Sequence, residues 1–264
     1  MCRHLGYLGP PIPLATVLFD PPHSLEHQSW APRDMRGGGT INADGFGVAW
    51  YPAGADPVRY RRACPLWTDG DLPALARATV APGILAAVRS ATVGMPVVET
   101  AAAPFLAGRF AFSHNGRIAG WPDTVAPLAA GLPPADLLTL DAPTDSALLW
   151  ALVRHRLRTG TDPATAVLDT IREVAARAPG SRLNLLLTDG TTLVGSTFGH
   201  ALSVRAGGGA VLLCSEPLDD DPAWQPVPDG RLVVATASTV EVHPLPDEPQ
   251  LPDELPLPDE VGDR

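Results

Sequence analysis

The chain of 264 residues predicts an α+β domain in which two antiparallel sheets are covered by helices. Three observations lead there. Short apolar runs bounded by Gly and Pro fill the first half, two helical patterns follow, and short apolar runs then return. Each sheet needs its apolar face buried, and 45% hydrophobic residues suffice to fill such a core without disulfide staples.

In chain order, residues 5–8, 46–51, 58–62, 84–89 and 109–113 read as strands, so the first half is expected to be mostly β. Residues 145–158 carry Leu148, Leu149, Leu152 and Leu157 at helical spacing. A second helix opens with Asp162 as N-cap and Pro163 at the first helical position, its core face being Val167, Leu168, Ile171 and Val174. Strands are then expected at 182–188, 192–195, 201–205, 211–215 and 231–235, the first two joined by Asp189-Gly190. From Leu245 the composition changes: Pro-Asp-Glu recurs at 246–248, 252–254 and 258–260. Too much proline and charge to bury a core marks 245–264 as a disordered acidic tail, leaving 2–244 as the folded catalytic body.

The chain has no lysine, and residues 247–264 account for −6 of its net charge of −10. Without a basic stripe, nucleic-acid binding has no electrostatic support. Cys2, Cys64 and Cys214 form no CxxC pair, which argues against a disulfide framework or a zinc site and fits a reducing compartment. The first 19 residues lack a signal-peptide pattern, and no apolar run approaches the roughly 20 residues that span a bilayer. A soluble, cytoplasmic protein is expected.

Cys2 is the sharpest chemical signal. Removal of Met1 before this small residue leaves a thiol and a free α-amine on one residue, and an amine of ordinary pKa near 7.7 to 8.0 can relay a proton at neutral pH. Position alone is weak support, since a small residue after the start codon is common. His114-Asn115-Gly116 follows the strand at 109–113 and offers a side-chain amide and an unhindered backbone N–H, the donors an oxyanion hole uses; Asn-Gly is equally a hairpin turn. Arg89 closes the strand at 84–89, where its guanidinium would either emerge at a sheet edge to clamp a carboxylate or simply face solvent. Thr144-Asp145-Ser146 precedes a helix that Thr or Asp would cap, unless Asp145 is needed for a cationic group.

Taken together, Cys2, Asn42-Ala43-Asp44-Gly45-Phe46-Gly47, Arg89-Ser90-Ala91-Thr92-Val93-Gly94, His114-Asn115-Gly116 and Thr144-Asp145-Ser146 resemble the motifs of class II glutamine amidotransferases, members of the N-terminal-nucleophile hydrolases. The similarity spans most of the chain and implies a four-layer αββα sandwich. It makes Cys2 the nucleophile, Asn115 and Gly116 the oxyanion donors, Arg89 the clamp for a glutamyl α-carboxylate and Asp145 the partner of its α-amino group, with Thr92 and His114 completing the substrate-binding set. No metal or organic cofactor has a role in that chemistry. Ser90, Val93 and Ala147 depart from family members with Trp and His in the Arg segment and Glu after Thr-Asp-Ser, which puts ammonia gating in doubt.

Residues 1–9 and 34–47 are similar to a stand-alone branch of ergothioneine biosynthesis. That similarity implies hydrolysis of γ-glutamyl-hercynylcysteine S-oxide to glutamate and hercynylcysteine S-oxide, with a small-molecule substrate and no obligatory synthase partner, nucleic acid or membrane. The alternatives are a glutaminase subunit feeding ammonia to a separate synthase, and a catalytically inactive binding module. Trp30, Trp50 and Trp121 are candidates for an aromatic face against a trimethylammonium group, or are core.

Overall fold

The computed structural model describes residues 2–35 and 41–245. In chain order the elements are β1 (Arg3–Pro13), α1 (Ala15–Leu18), α2 (Leu25–Trp30), β2 (Phe46–Trp50), β3 (Val58–Arg62), α3 (Leu72–Ala78), β4 (Val80–Val88), β5 (Phe105–Ala107), β6 (Phe110–Arg117), α4 (Ala126–Ala130), α5 (Pro134–Leu138), α6 (Asp145–Arg158), α7 (Pro163–Arg177), β7 (Arg182–Thr188), β8 (Leu193–Thr197), β9 (Ser203–Gly207), β10 (Ala210–Cys214), β11 (Gln225–Pro226), β12 (Arg231–Ala235) and β13 (Val240–Pro244). They form one sheet in the order β11-β9-β10-β1-β4-β2-β3 and a second in the order β13-β12-β8-β7-β6-β5. Every pairing between these strands is antiparallel.

Three cores define four layers. Between the sheets lie Leu8, Leu85, Leu186, Leu193, Leu213 and Val233. The outer face of the first sheet buries Leu5, Phe46 and Ile84 against Leu18, Leu25 and Leu72 from α1, α2 and α3. The outer face of the second buries Phe112, Leu185 and Leu187 against α6 and α7, where Phe112 and Trp150 stack with ring centroids 5.4 Å apart. Helices on both outer faces and two sheets between them are the expected αββα sandwich.

Both long helices start where expected, for capping reasons. Thr144 Oγ1 accepts from the Ala147 amide, and Asp162 Oδ1 accepts from the Thr165 amide ahead of Pro163. The first half is less purely β than expected, because α1, α2 and α3 run for only 4, 6 and 7 residues, too few to display a helical period. No described helix is long and apolar enough to cross a membrane. Of the segment taken as a tail, Leu245 is buried and its amide donates to the Gly230 carbonyl at 2.8 Å, so at that residue the chain is still part of the fold. Residues 246–264, and 36–40 of the Gly-rich segment, lie outside the described residues.

Candidate active site

Cys2 stands at the entry to β1, the middle strand of the seven-stranded sheet. Successive strand residues face opposite ways. His4 and Leu8 therefore point between the sheets, while Leu5 and Tyr7 pack outward under the helices. Cys2 is half-buried, and its thiol lies 3.7 Å from the Ser90 carbonyl. A narrow cavity of about 20 Å³ is lined by Cys2, Arg89, His114, Ser146 and Phe105, among others.

The chain around Arg89 is held by the Asn-Ala-Asp-Gly segment. The Asp44 amide donates to the Arg89 carbonyl at 2.9 Å, the Arg89 amide donates to the Gly45 carbonyl at 2.7 Å, and Asp44 Oδ2 accepts from the Ala91 amide at 2.8 Å. Gly47 is required by contact: a Cβ there would lie 2.4 Å from the Ala103 carbonyl oxygen. Arg89 follows the end of β4, an interior strand, so it is not at the sheet edge the sequence suggested. Its Nη1 donates to the Pro96 carbonyl at 2.9 Å.

His114, Asn115 and Gly116 correct a second expectation. They lie within β6 and pair with Leu185, Asn184 and Leu183 of β7, neither beyond a strand end nor in a hairpin turn. The strand continues because both faces supply polar partners. His114 points toward α6, with Nδ1 2.9 Å from Ser146 Oγ and Nε2 2.9 Å from the Arg182 carbonyl. Burial lowers its pKa against a smaller opposing pull from Asp145, so the ring is neutral, and since a carbonyl can only accept, the proton sits on Nε2. Asn115 points the other way, and its Nδ2 donates to Ser215 Oγ at 3.4 Å, leaving a second N–H for another acceptor. Gly116 backs onto Arg182, whose carbonyl oxygen would be 1.9 Å from an added Cβ.

Asp145 opens α6. Its Oδ2 accepts from the Ile118 amide at 3.0 Å and its Oδ1 from the Ser146 amide at 2.8 Å, so the carboxylate spans two chain segments. Asp145 and Thr92 line a second cavity, of about 520 Å³, with Met95, Arg117 and Trp121. Cys2, Arg89 and His114 thus share one cavity and Thr92 and Asp145 another, the two linked through Ser146 beside Asp145. Asn115 and Gly116 are absent from both linings. A cavity of about 600 Å³ beside α1 is lined by Arg205, Asp219 and Asp221 and contains none of the candidate residues.

Sequence reasoning passed over the polar groups that brace these side chains. His4 Nδ1 lies 3.2 Å from Ser113 Oγ, and Ser215 Oγ accepts from the His4 amide at 3.0 Å, tying β1 to β6 beneath Asn115. Ser146 was visible only as the third letter of the Thr-Asp-Ser motif.

Paired antiparallel sheets between helical layers, with a cysteine leading into the middle strand, match the fold of a solved class-II glutamine aminotransferase domain. A class-II glutamine aminotransferase domain protein from Silicibacter pomeroyi has the same fold, with a TM-score of 0.67 at 24% identity, covering 92% of this chain and 99% of that one. No family model matches the chain. It is 42% identical over 91% of its length, and 95% of the relative's, to the gamma-glutamyl-hercynylcysteine sulfoxide hydrolase of Mycobacterium tuberculosis. To the enzyme of the same name from Mycolicibacterium smegmatis it is 40% identical over 93% of its length and all of the relative's. The chain belongs to the gamma-glutamyl-hercynylcysteine sulfoxide hydrolase family.

Proposed function

We propose that this protein hydrolyses the γ-glutamyl amide bond of γ-glutamyl-hercynylcysteine S-oxide, releasing glutamate and hercynylcysteine S-oxide, with Cys2 as the nucleophile. The observation that carries the reading is the cavity shared by Cys2, Arg89 and His114 in a chain 42% identical to a hydrolase of that name.

Removal of Met1 frees the Cys2 α-amine. The amine takes the thiol proton, the sulfur attacks the γ-carbonyl carbon, and the carbonyl electron pair moves to oxygen. Asn115 Nδ2 and the Gly116 amide are the donors assigned to that oxyanion, an arrangement whose single donors contribute about 10²- to 10³-fold in related chemistry. Collapse of the oxyanion expels the leaving nitrogen, which takes the proton from the Cys2 ammonium and leaves a γ-glutamyl thioester. Water, deprotonated by the same amine, attacks the thioester and regenerates the thiol. Arg89 holds the glutamyl α-carboxylate, and Asp145, with Thr92 beside it, receives the α-ammonium. His114, neutral with its proton on Nε2, fixes Ser146 and through it the start of α6.

The experiment is to supply purified protein with γ-glutamyl-hercynylcysteine S-oxide and, separately, with glutamine. Glutamate released chiefly from the conjugate supports the proposal. Preference for glutamine, with turnover raised by a partner synthase, would favour an ammonia-supplying glutaminase.

A further inference from the structure

A terminal residue frays unless something grips it. A nucleophile that uses its own amine as base must leave that amine free, so its carbonyl is the backbone group available for gripping. Arg3 Nη1 donates to the Cys2 carbonyl at 3.0 Å, and Nη2 donates to the Asp34 carbonyl. Its Nε donates to Glu216 Oε1 at 2.7 Å. Arg3 is buried facing away from the inter-sheet space that His4 enters, so the guanidinium approaches Cys2 from behind.

Glu216, just beyond β10, is equally committed. Oε1 also accepts from the Asp34 amide at 3.2 Å, while Oε2 accepts from His23 Nε2 at 2.6 Å and the Arg33 amide at 2.8 Å. Burial pushes its carboxyl up, but these hydrogen bonds and the Arg3 charge outweigh it and hold the group at about 2. The guanidinium is thereby fixed by a buried carboxylate at one end and bound to two backbone carbonyls at the other. A planar fork makes these three contacts at once, which a lysine ammonium, a point donor on a flexible stem, does not reproduce. Neither Arg3 nor Glu216 lines the cavity of Cys2 or that of Asp145.

We propose that Arg3 and Glu216 are a positioning pair for the nucleophile: Glu216 sets the guanidinium, and the guanidinium sets the Cys2 carbonyl, so that thiol and α-amine keep one orientation toward Arg89 and Asn115. The inference rests on the reading of Cys2 as the nucleophile, and its contacts lie outside the substrate cavities. Its signature is therefore a loss in kcat with KM retained, because binding is untouched while the attacking atom is misplaced.

The test uses full-length Arg3→Lys and Glu216→Gln, each verified by intact mass to begin at Cys2. Steady-state kinetics on the γ-glutamyl conjugate are combined with alkylation of the Cys2 thiol by iodoacetamide across neutral and alkaline pH. In Arg3→Lys, kcat is expected to fall about ten- to a hundredfold, the scale of a small misplacement of a reacting group. KM should stay within about twofold, and the pH profile of alkylation should shift as thiol and amine lose register. Glu216→Gln places an amide N–H against donors, and should either reproduce that pattern or fail to fold, in which case Arg3→Lys decides. A folded Arg3→Lys with wild-type kcat and an unchanged alkylation profile, a loss confined to KM, or a loss of thermal stability alone would each overturn the pair. If the wild type alkylates at Cys2 but releases no glutamate, the substrate reading fails, and the alkylation profiles still decide the positioning role.

Discussion

At the scale of single residues, the account makes unequal demands on Arg89, Asn115 and Asp145. Removing either half of the glutamyl clamp leaves a substrate charge desolvated and unpaired, so Arg89→Ala and Asp145→Ala are each expected to lower kcat/KM by roughly 2 to 5 kcal/mol, while Cys2 still reacts with a small uncharged alkylating agent. Nearly wild-type kcat/KM in both would remove the glutamyl-binding assignment. Asp145 also accepts from the Ile118 amide and Arg89 also donates to the Pro96 carbonyl, so each alanine variant should lose some thermal stability besides its activity. At the residue level the motifs singled out Cys2, Arg89 and Asp145 by type, and the roles proposed for them rest on that resemblance. Assigning Arg89 and Asp145 to the two ends of one glutamyl group implies a single cleft, whereas the structure has them lining two cavities that share no residue, since residues 92–95 line the cavity of Asp145 and Arg89 that of Cys2.

Among the elements, legibility followed length and one-sidedness. The helix at 145–158 and the strands at 182–188 and 231–235 were readable to the residue, since their apolar positions repeat over several periods or fill a buried face. α1 to α3 were not, being too short to establish a period. β6 was read as ending before His114, because polar residues in a central strand look like a turn until their partners Ser146 and Ser215 are known. α6 links stability to the site directly. Thr144→Ala removes the cap on the Ala147 amide and should destabilise by about 1 kcal/mol, measurable as a lower urea midpoint. An unchanged midpoint would mean that Asp145 alone holds this helix end.

For the whole molecule, buried titratable groups dictate an acid-side weakness. Burial, helped by the repulsion His4 would meet from protonated His114 and His200 and from the Arg3 charge, holds His4 at about 3 against the ordinary 6.5. Burial and the nearby Arg182, Arg3 and His114 hold His200 at about 3 as well. As pH falls below 6.5 the unfolded chain binds protons that the folded chain refuses, so stability falls by up to about 1.4 kcal/mol per pH unit for each histidine until the folded values are reached. Glu216, held at about 2 against 4.5, adds its own loss between those two values. Urea unfolding from pH 7.5 down to 4.5 should therefore show a drop of several kcal/mol, and His200→Gln should flatten the slope; a flat profile in the wild type would contradict the buried neutral histidines. The C-terminal boundary has a comparable test. Ending the chain after Leu245 should leave the melting temperature unchanged, whereas ending it after Pro244 removes a buried leucine and should cost about 1.5 to 3 kcal/mol.

The central claim is that a free N-terminal Cys2 cleaves the γ-glutamyl amide. It is tested most directly by glutamate release from γ-glutamyl-hercynylcysteine S-oxide, comparing protein shown by intact mass to begin at Cys2 with protein that retains Met1, where the α-amine is locked into a peptide bond. The account predicts turnover by the first and none above background by the second. Equal turnover by the two would contradict it.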